Sequence, residues 1–153
     1  GKQASMEDQF EIVKQALAAE INRGQAEVIK DEERIIIRLA EHGSFPSGSA
    51  LIKPSFKRIL SKLGLSLQEV SGEIMVEGHT DSVPMAYNER FRSNWDLSAA
   101  RAAAVVDYLL GVTPQVRGRI MASGMADIRP LMSNETTIGR SRNRRIEVIV
   151  SAP

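Results

Sequence analysis

The chain has 153 residues, 42% hydrophobic and 25% charged, with no cysteine; collagen-like and low-complexity chains, disulfide-stapled folds and thiolate chemistry are excluded. At this length about 70% of the unfolded surface can be buried, enough for one core without staples. Net charge is +1, yet residues 1–50 carry −3 and residues 117–145 carry +5, so the total exerts no pull toward nucleic acid or anionic lipid while the basic quarter either binds an anion or is a solvated face.

Residues 6–23 are expected to form one amphipathic helix, because Phe10, Val13, Ala16, Leu17 and Ile21 recur at three- and four-residue steps between a capping Ser5 and Gly24. Two extended runs follow, Ala26 to Ile29 and Arg34 to Leu39, and read as a hairpin. The β-branched Ile35-Ile36-Ile37 points to a strand buried on both faces. After a Gly/Ser/Pro loop at residues 42–49, Pro54 opens a helix containing Phe56, Ile59, Leu60 and Leu63. Glu73 to Glu77 is a short strand, Gly78 to Asn94 a long polar loop, and Leu97 to Leu110 a helix ended by Gly111 and Pro114. Arg119 to Ala122 is expected as a third core strand, Glu135 to Asn143 as a helix and Ile146 to Val150 as a closing strand. The order β-α-β-α-β-α-β, preceded by an N-terminal helix, predicts an α/β sandwich with a mixed sheet and helices on one side or both. The expected division is a leading helix with adjoining strands over residues 1–44 and a compact core over 45–153.

Two places break the local rules. Arg101 falls near the middle of the apolar stripe formed by Leu97, Val105, Tyr108 and Leu109, and a buried guanidinium needs a partner; an internal salt bridge or a snorkelling head group would also accommodate it. The run Glu77-Gly78-His79-Thr80-Asp81 lies where a strand gives way to a loop, a position where functional side chains collect. If Asp81 and Arg101 are held near each other without collapsing, they suit a zwitterion, the carboxylate taking an ammonium and the guanidinium a carboxylate. The start of the following helix, Asn94 to Leu97, adds N–H donors. The alternative is that Asp81 and Arg101 pair with each other.

Val76-Glu77-Gly78-His79-Thr80-Asp81, Asn94-x-x-Leu97-Ser98-x-x-Arg101-Ala102 and Gly139 with Asn143-Arg144-Arg145 together resemble the signature of OmpA-like peptidoglycan-binding domains. The likeness runs from about residue 45 to 150. Phe45 to Ala50, the Asp81-Ser82-Val83-Pro84 turn, the enlarged loop, Ser93 to Ser98 and Met121 to Pro130 resemble the MotB/PomB flagellar stator subunits within that superfamily. The resemblance implies an OmpA-like sandwich that grips meso-diaminopimelate of the cell-wall stem peptide and anchors the stator to peptidoglycan. By position, Asp81 would hold the ammonium and Arg101 the carboxylate; Thr80, Asn94, Leu97 and Ser98 would line the pocket, and Arg144 would contribute from the basic quarter. It further implies a homodimer and a channel-forming A subunit as partner. The location implied is periplasmic, behind a single inner-membrane helix not present in this chain. Gly48 stands where typical members have asparagine, the loop after Thr80-Asp81 is longer than theirs, and the Phe45 to Ala50 loop is nearer the sodium-type subunits. Residues 6–44 would be the linker side, with the leading helix packed on its own core or on a partner protomer.

No run approaches the roughly 18–20 apolar residues that cross a bilayer, and no signal peptide is recognisable. The chain opens Gly1-Lys2-Gln3, so an anchoring segment is expected to have been removed from it. His42 and His79 are the only histidines, and no set of further ligands at metal-binding spacing accompanies them, so neither metal nor cofactor is expected. His79 reads as structural, and Trp95 as a core or loop anchor. A hydrolase using His79, Asp81 and Ser82 or Ser98 lacks the G-x-S-x-G elbow. Nucleic-acid binding lacks aromatic residues among the basic ones. Non-enzymatic stator anchoring is therefore expected, ahead of a general envelope tether of the OmpA/Pal type and of an enzyme acting on the wall peptide.

Overall fold

The computed structural model describes residues 5–86 and 88–153. Helix α1 spans Met6–Ala16, with the Ser5 hydroxyl accepting from the Asp8 N–H at 3.1 Å, and α2 spans Ala18–Asn22. The single helix expected over residues 6–23 is thus two, kinked at Leu17, whose side chain is fully buried. Leu17 leaves helical geometry (φ −107°, ψ 17°), but its N–H still reaches Val13, so the path bends without ending. The hairpin forms as expected: β1 (Ala26–Asp31) pairs antiparallel with β2 (Arg34–Ala40). Ile35, Ile36 and Ile37 are all buried.

Helix α3 (Pro54–Leu67), strand β3 (Glu73–His79) and helix α4 (Asn94–Val112) follow. The last is longer than expected at both ends, because the Ser93 hydroxyl caps it by accepting from the Asp96 N–H and Gly111 lies within it. Strand β4 (Ile120–Gly124), helix α5 (Thr137–Asn143) and strand β5 (Arg145–Ser151) complete the chain. The sheet order is β1-β2-β5-β3-β4, mixed, with β3 and β4 parallel and the other pairs antiparallel. The strand expected as a third core strand is instead an edge strand, with Met121 and Ala122 exposed.

Alternation assigns the two sheet faces. Ile35, Ile37 and Leu39 of β2, Ile146, Val148 and Val150 of β5, and Ile74 and Val76 of β3 face one core with Val13, Leu17, Phe56, Leu60, Val105 and Leu109 of the helices. The leading helix packs on its own core, with Val13 and Leu17 fully buried there. The described part of the leading segment, residues 5–44, therefore contributes to the same core and the same sheet as the rest. Among the described residues no helix is long and apolar enough to cross a membrane.

Candidate functional site

β2, β3 and β5 place Glu41, Asp81 and Arg144 at one end of the sheet, because Glu41 follows β2, Asp81 follows β3 and Arg144 precedes β5. The Glu41 N–H donates to the Arg144 carbonyl at 3.2 Å, joining β2 to β5 at that end. Helix α4 crosses β3 and β4 here at very short range. A Cβ on Gly78 would lie 2.2 Å from the Ser98 carbonyl oxygen, and one on Gly124 would lie 2.5 Å from the Ala99 nitrogen. These two glycines let the first turns of α4 settle onto the sheet and bring Arg101 over the loop at residues 44–50.

Asp81 and Arg101 line one open cleft of about 810 Å³ together with Glu41, Thr80, Asn94, Leu97, Arg140 and Arg144. They do not pair with each other. Arg101, 4% exposed, donates through Nη1 to Glu41 Oε2, through Nε to the Ser49 carbonyl at 2.7 Å and through Nη2 to the Pro46 carbonyl at 3.2 Å. Its guanidinium also stands 4.8 Å from the Phe45 ring centroid. Arg144 donates to Glu41 Oε1 at 3.0 Å and to Asp81 Oδ2 at 2.7 Å, while Asp81 Oδ1 accepts the Val83 N–H at 3.0 Å. Burial alone would lower the Arg144 pKa, but the carboxylates of Asp81 and Glu41 outweigh it and raise it above the ordinary arginine value.

Of the residues expected at the site, Thr80, Asp81, Asn94, Leu97, Arg101 and Arg144 line the cleft and Ser98 does not. The Ser98 hydroxyl is buried, donating to the Trp95 carbonyl at 3.2 Å and accepting from the Ala126 N–H at 3.0 Å, so it ties α4 to the segment after β4. Asn94 Nδ2 donates to the Val83 carbonyl at 3.0 Å and holds the turn after Asp81. The first-turn donors of α4 are partly occupied: the Asp96 N–H serves the Ser93 cap. Trp95 is half exposed rather than a core anchor.

Glu41 and Arg140 are charged cleft residues that sequence reasoning missed, and Glu41 is the one that pairs with Arg101. The signal was the demand of a buried arginine for a carboxylate, but the partner lies in the segment read as linker. The basic quarter is neither one patch nor a solvated face: Arg140 and Arg144 face the cleft, Arg119 donates to the carbonyls of Leu67, Val70 and Gly72, and Arg145 is buried against Glu147.

His79 is buried and hydrogen-bonded to Glu77 at 3.0 Å. The fold brings Glu77, His79 and Glu147 within 4.8 Å of one another, ligands that spacing did not reveal. The cluster fits a cation poorly, since Arg145 and Arg38 already donate to Glu147 Oε2 at 2.6 and 3.1 Å. Because His79 bonds Glu77, Asp81 bonds Arg144 and Ser98 bonds Trp95 and Ala126, no Ser–His–Asp relay is assembled among the described residues.

The family model of the OmpA family matches residues 44–144. Motility protein B of Bacillus subtilis is 34% identical over 131 residues, covering 82% of this chain and 48% of that protein. YtxE of the same organism is 34% identical over 128 residues, covering 84% and 52%; the chain thus spans about half the length of these relatives. Among solved structures, the cell wall anchor of the T6SS from Pseudomonas aeruginosa matches with a TM-score of 0.85 at 35% identity, covering 92% of this chain and 97% of that one. A MotB-like protein from Desulfovibrio vulgaris matches at 0.88 and 27% identity, covering 97% and 94%. With the family model matching two thirds of the chain and motility protein B 34% identical over most of it, the chain belongs to the OmpA family as a MotB-type, OmpA-like domain.

Proposed function

We propose that the chain is a non-enzymatic peptidoglycan-binding domain that anchors a flagellar motor stator to the cell wall by gripping the meso-diaminopimelate of the stem peptide. The observation that carries this reading is that Asp81 and Arg101 share one cleft while each is balanced by another residue, Arg144 for Asp81 and Glu41 for Arg101. A zwitterion entering the cleft offers its ammonium to Asp81 and its carboxylate to Arg101 and Arg144, so both existing ion pairs are exchanged for charge-assisted bonds of the same kind. Thr80, Asn94 and Leu97 shape the walls. Membership of the OmpA family and the likeness to a cell wall anchor support wall binding; the likeness to motility protein B supports the stator role. The working location is the periplasm, with the domain carried by an inner-membrane helix beside a channel-forming A subunit.

Charge-assisted bonds contribute on the order of 1.5–3 kcal/mol each, so one cleft binds weakly and firm anchoring comes from several clefts engaging one polymer. Purified protein is expected to co-sediment with diaminopimelate-type sacculi, and Asp81→Asn to abolish it while leaving thermal unfolding nearly unchanged; Arg101→Ala is expected to abolish it as well. Equal sedimentation of the wild type and Asp81→Asn sinks the assignment. A non-flagellar envelope tether is the second reading, favoured by the 35% identity to the T6SS anchor. The codons that encode the segment ahead of this domain separate the two: a helix bearing an ion-carrying aspartate supports the stator, a lipobox or β-barrel the tether.

A further inference from the structure

A second cavity, of about 300 Å³, lies between the sheet and helix α5. Two elements separate it from the cleft. Arg140 and Arg144 of the α5 segment line the cleft whereas Ser141 and Arg142 line the cavity, and after β2 Glu41 lines the cleft whereas His42 lines the cavity. The strands supply Glu27 of β1 and Arg38 of β2, which are paired in the sheet, together with Arg145 of β5.

Its charged groups are unequally occupied. Arg145 is saturated, because its three nitrogens donate to Glu147, to the Asn143 carbonyl and to the Arg129 carbonyl. Arg38 donates only Nε, to Glu147 Oε2 at 3.1 Å, and Arg142 donates only Nη1, to Glu27 Oε1 at 2.5 Å. Among the described residues the other nitrogens of these two guanidiniums have no partner, and neither do the side chains of His42 and Ser141. Three guanidiniums thus face the carboxylate of Glu27 and, behind Arg38 and Arg145, that of Glu147, which leaves positive charge in excess.

We propose that this cavity is a second ligand site, for a phosphoryl group, distinct from the cleft that holds Asp81 and Arg101. A carboxylate is satisfied in one plane by a single guanidinium fork, whereas a tetrahedral phosphate accepts donors from several directions. Arg38 offers them from the sheet, Ser141 and Arg142 from α5, and His42 from the segment after β2. The volume is at the lower end of the roughly 300–1,000 Å³ of small-molecule sites, and Leu39 and Leu131 add an apolar wall, so a phosphate with a short organic substituent fits as well as the free ion. The opposing carboxylate of Glu27 sets the affinity, since it holds Arg142 and repels the anion.

Titration of the amide resonances by NMR tests the site, with inorganic phosphate, glycerol phosphate and acetate as probes and chloride holding the ionic strength constant. Both phosphates are expected to give saturable shifts at residues 24–27, 38–42 and 141–145. Tighter binding of glycerol phosphate assigns an esterified ligand, and equal binding assigns the free ion. Absence of saturation, or acetate binding as tightly as phosphate, overturns the proposal. The Arg142–Glu27 pair is exposed, with side chains 45% and 40% accessible, so the fold tolerates its loss. Arg142→Gln is expected to weaken phosphate binding about fivefold and Glu27→Gln to strengthen it about threefold, because one removes a charge-assisted donor and the other the competing acceptor. A merely structural role for the pair would move both in the same direction, and that result refutes the site. Asp81→Asn is expected to leave phosphate binding unchanged; its loss in that variant would place the anion in the cleft instead. Failure of sacculus binding and failure of this site are thereby read separately.

Discussion

Arg101, Glu41, Arg144 and Asp81 form a chain of alternating charge across the cleft, and the order matters. Glu41 accepts from both guanidiniums, Arg101 on one oxygen and Arg144 on the other, whereas Asp81 shares only Arg144. Arg101 is the buried member, with its side chain 5% exposed, and removing the partner of a buried charge leaves an uncompensated ion. Glu41→Gln is therefore expected to destabilise the domain by about 2–3 kcal/mol in urea unfolding. Asp81→Asn should cost under about 1 kcal/mol, because Arg144 is one-third exposed and keeps Glu41. Equal costs for the two substitutions would show that Arg101 is held by the Pro46 and Ser49 carbonyls rather than by Glu41. The sequence demanded a counter-ion for Arg101 but did not name it, since the carboxylate lies sixty positions away in a segment with no motif.

At the scale of elements, the cleft depends on how closely α4 approaches the sheet. Gly78 is needed there for space rather than for backbone conformation: the carbonyl oxygen of Ser98 would lie 2.2 Å from an added Cβ, and backbone cannot yield as a flexible side chain does. Gly78→Ala should cost on the order of 3 kcal/mol and lift α4 from β3, weakening sacculus binding with it. Gly111, in the same helix, meets nothing within 4 Å, and Gly111→Ala should stabilise by about 0.5–1 kcal/mol through helix propensity alone. Thermal melts of the two variants give the opposite signs; the same sign in both would remove the close-approach argument. Helix existence was legible from periodicity and capping, down to Ser5 ahead of α1 and Pro54 at the start of α3, whereas the Ser93 cap that begins α4 three residues before Leu97 was not. The kink at Leu17 was not, because Leu17 keeps the apolar spacing of an unbroken helix and only its tertiary burial bends the path.

For the whole molecule, the strand order was the part that sequence could not supply. Alternating strands and helices announced a mixed α/β sandwich, but inserting β5 between β2 and β3 is a choice among long-range pairings that local patterns do not encode. That insertion creates the site, by setting Arg144 between Glu41 and Asp81, and it creates a second ionic cluster on the opposite face. There Glu147 of β5 accepts from Arg145 at 2.6 Å and from Arg38 of β2 at 3.1 Å, with Glu77 and His79 of β3 alongside. Burial by itself would raise the Glu147 pKa, but the hydrogen bond and charge of Arg145, with His79 and Arg38, hold it below the ordinary 4.5. A carboxyl whose pKa is lower folded than unfolded releases its proton earlier in the native state. Its stabilisation is therefore fully present above about pH 4.5 and is lost as pH falls through the depressed folded value. Glu147→Gln should lower stability by about 3 kcal/mol at pH 7, leaving Arg145 buried without its counter-ion. The gap between wild type and variant should close progressively as pH falls below about 4.5 toward the depressed folded value, below which the native wild-type carboxyl is itself protonated. Urea unfolding at half-unit steps from pH 3 to 7 measures both limbs, and a gap that stays constant across that range would mean that packing, not the charge of Glu147, joins β2, β5 and β3.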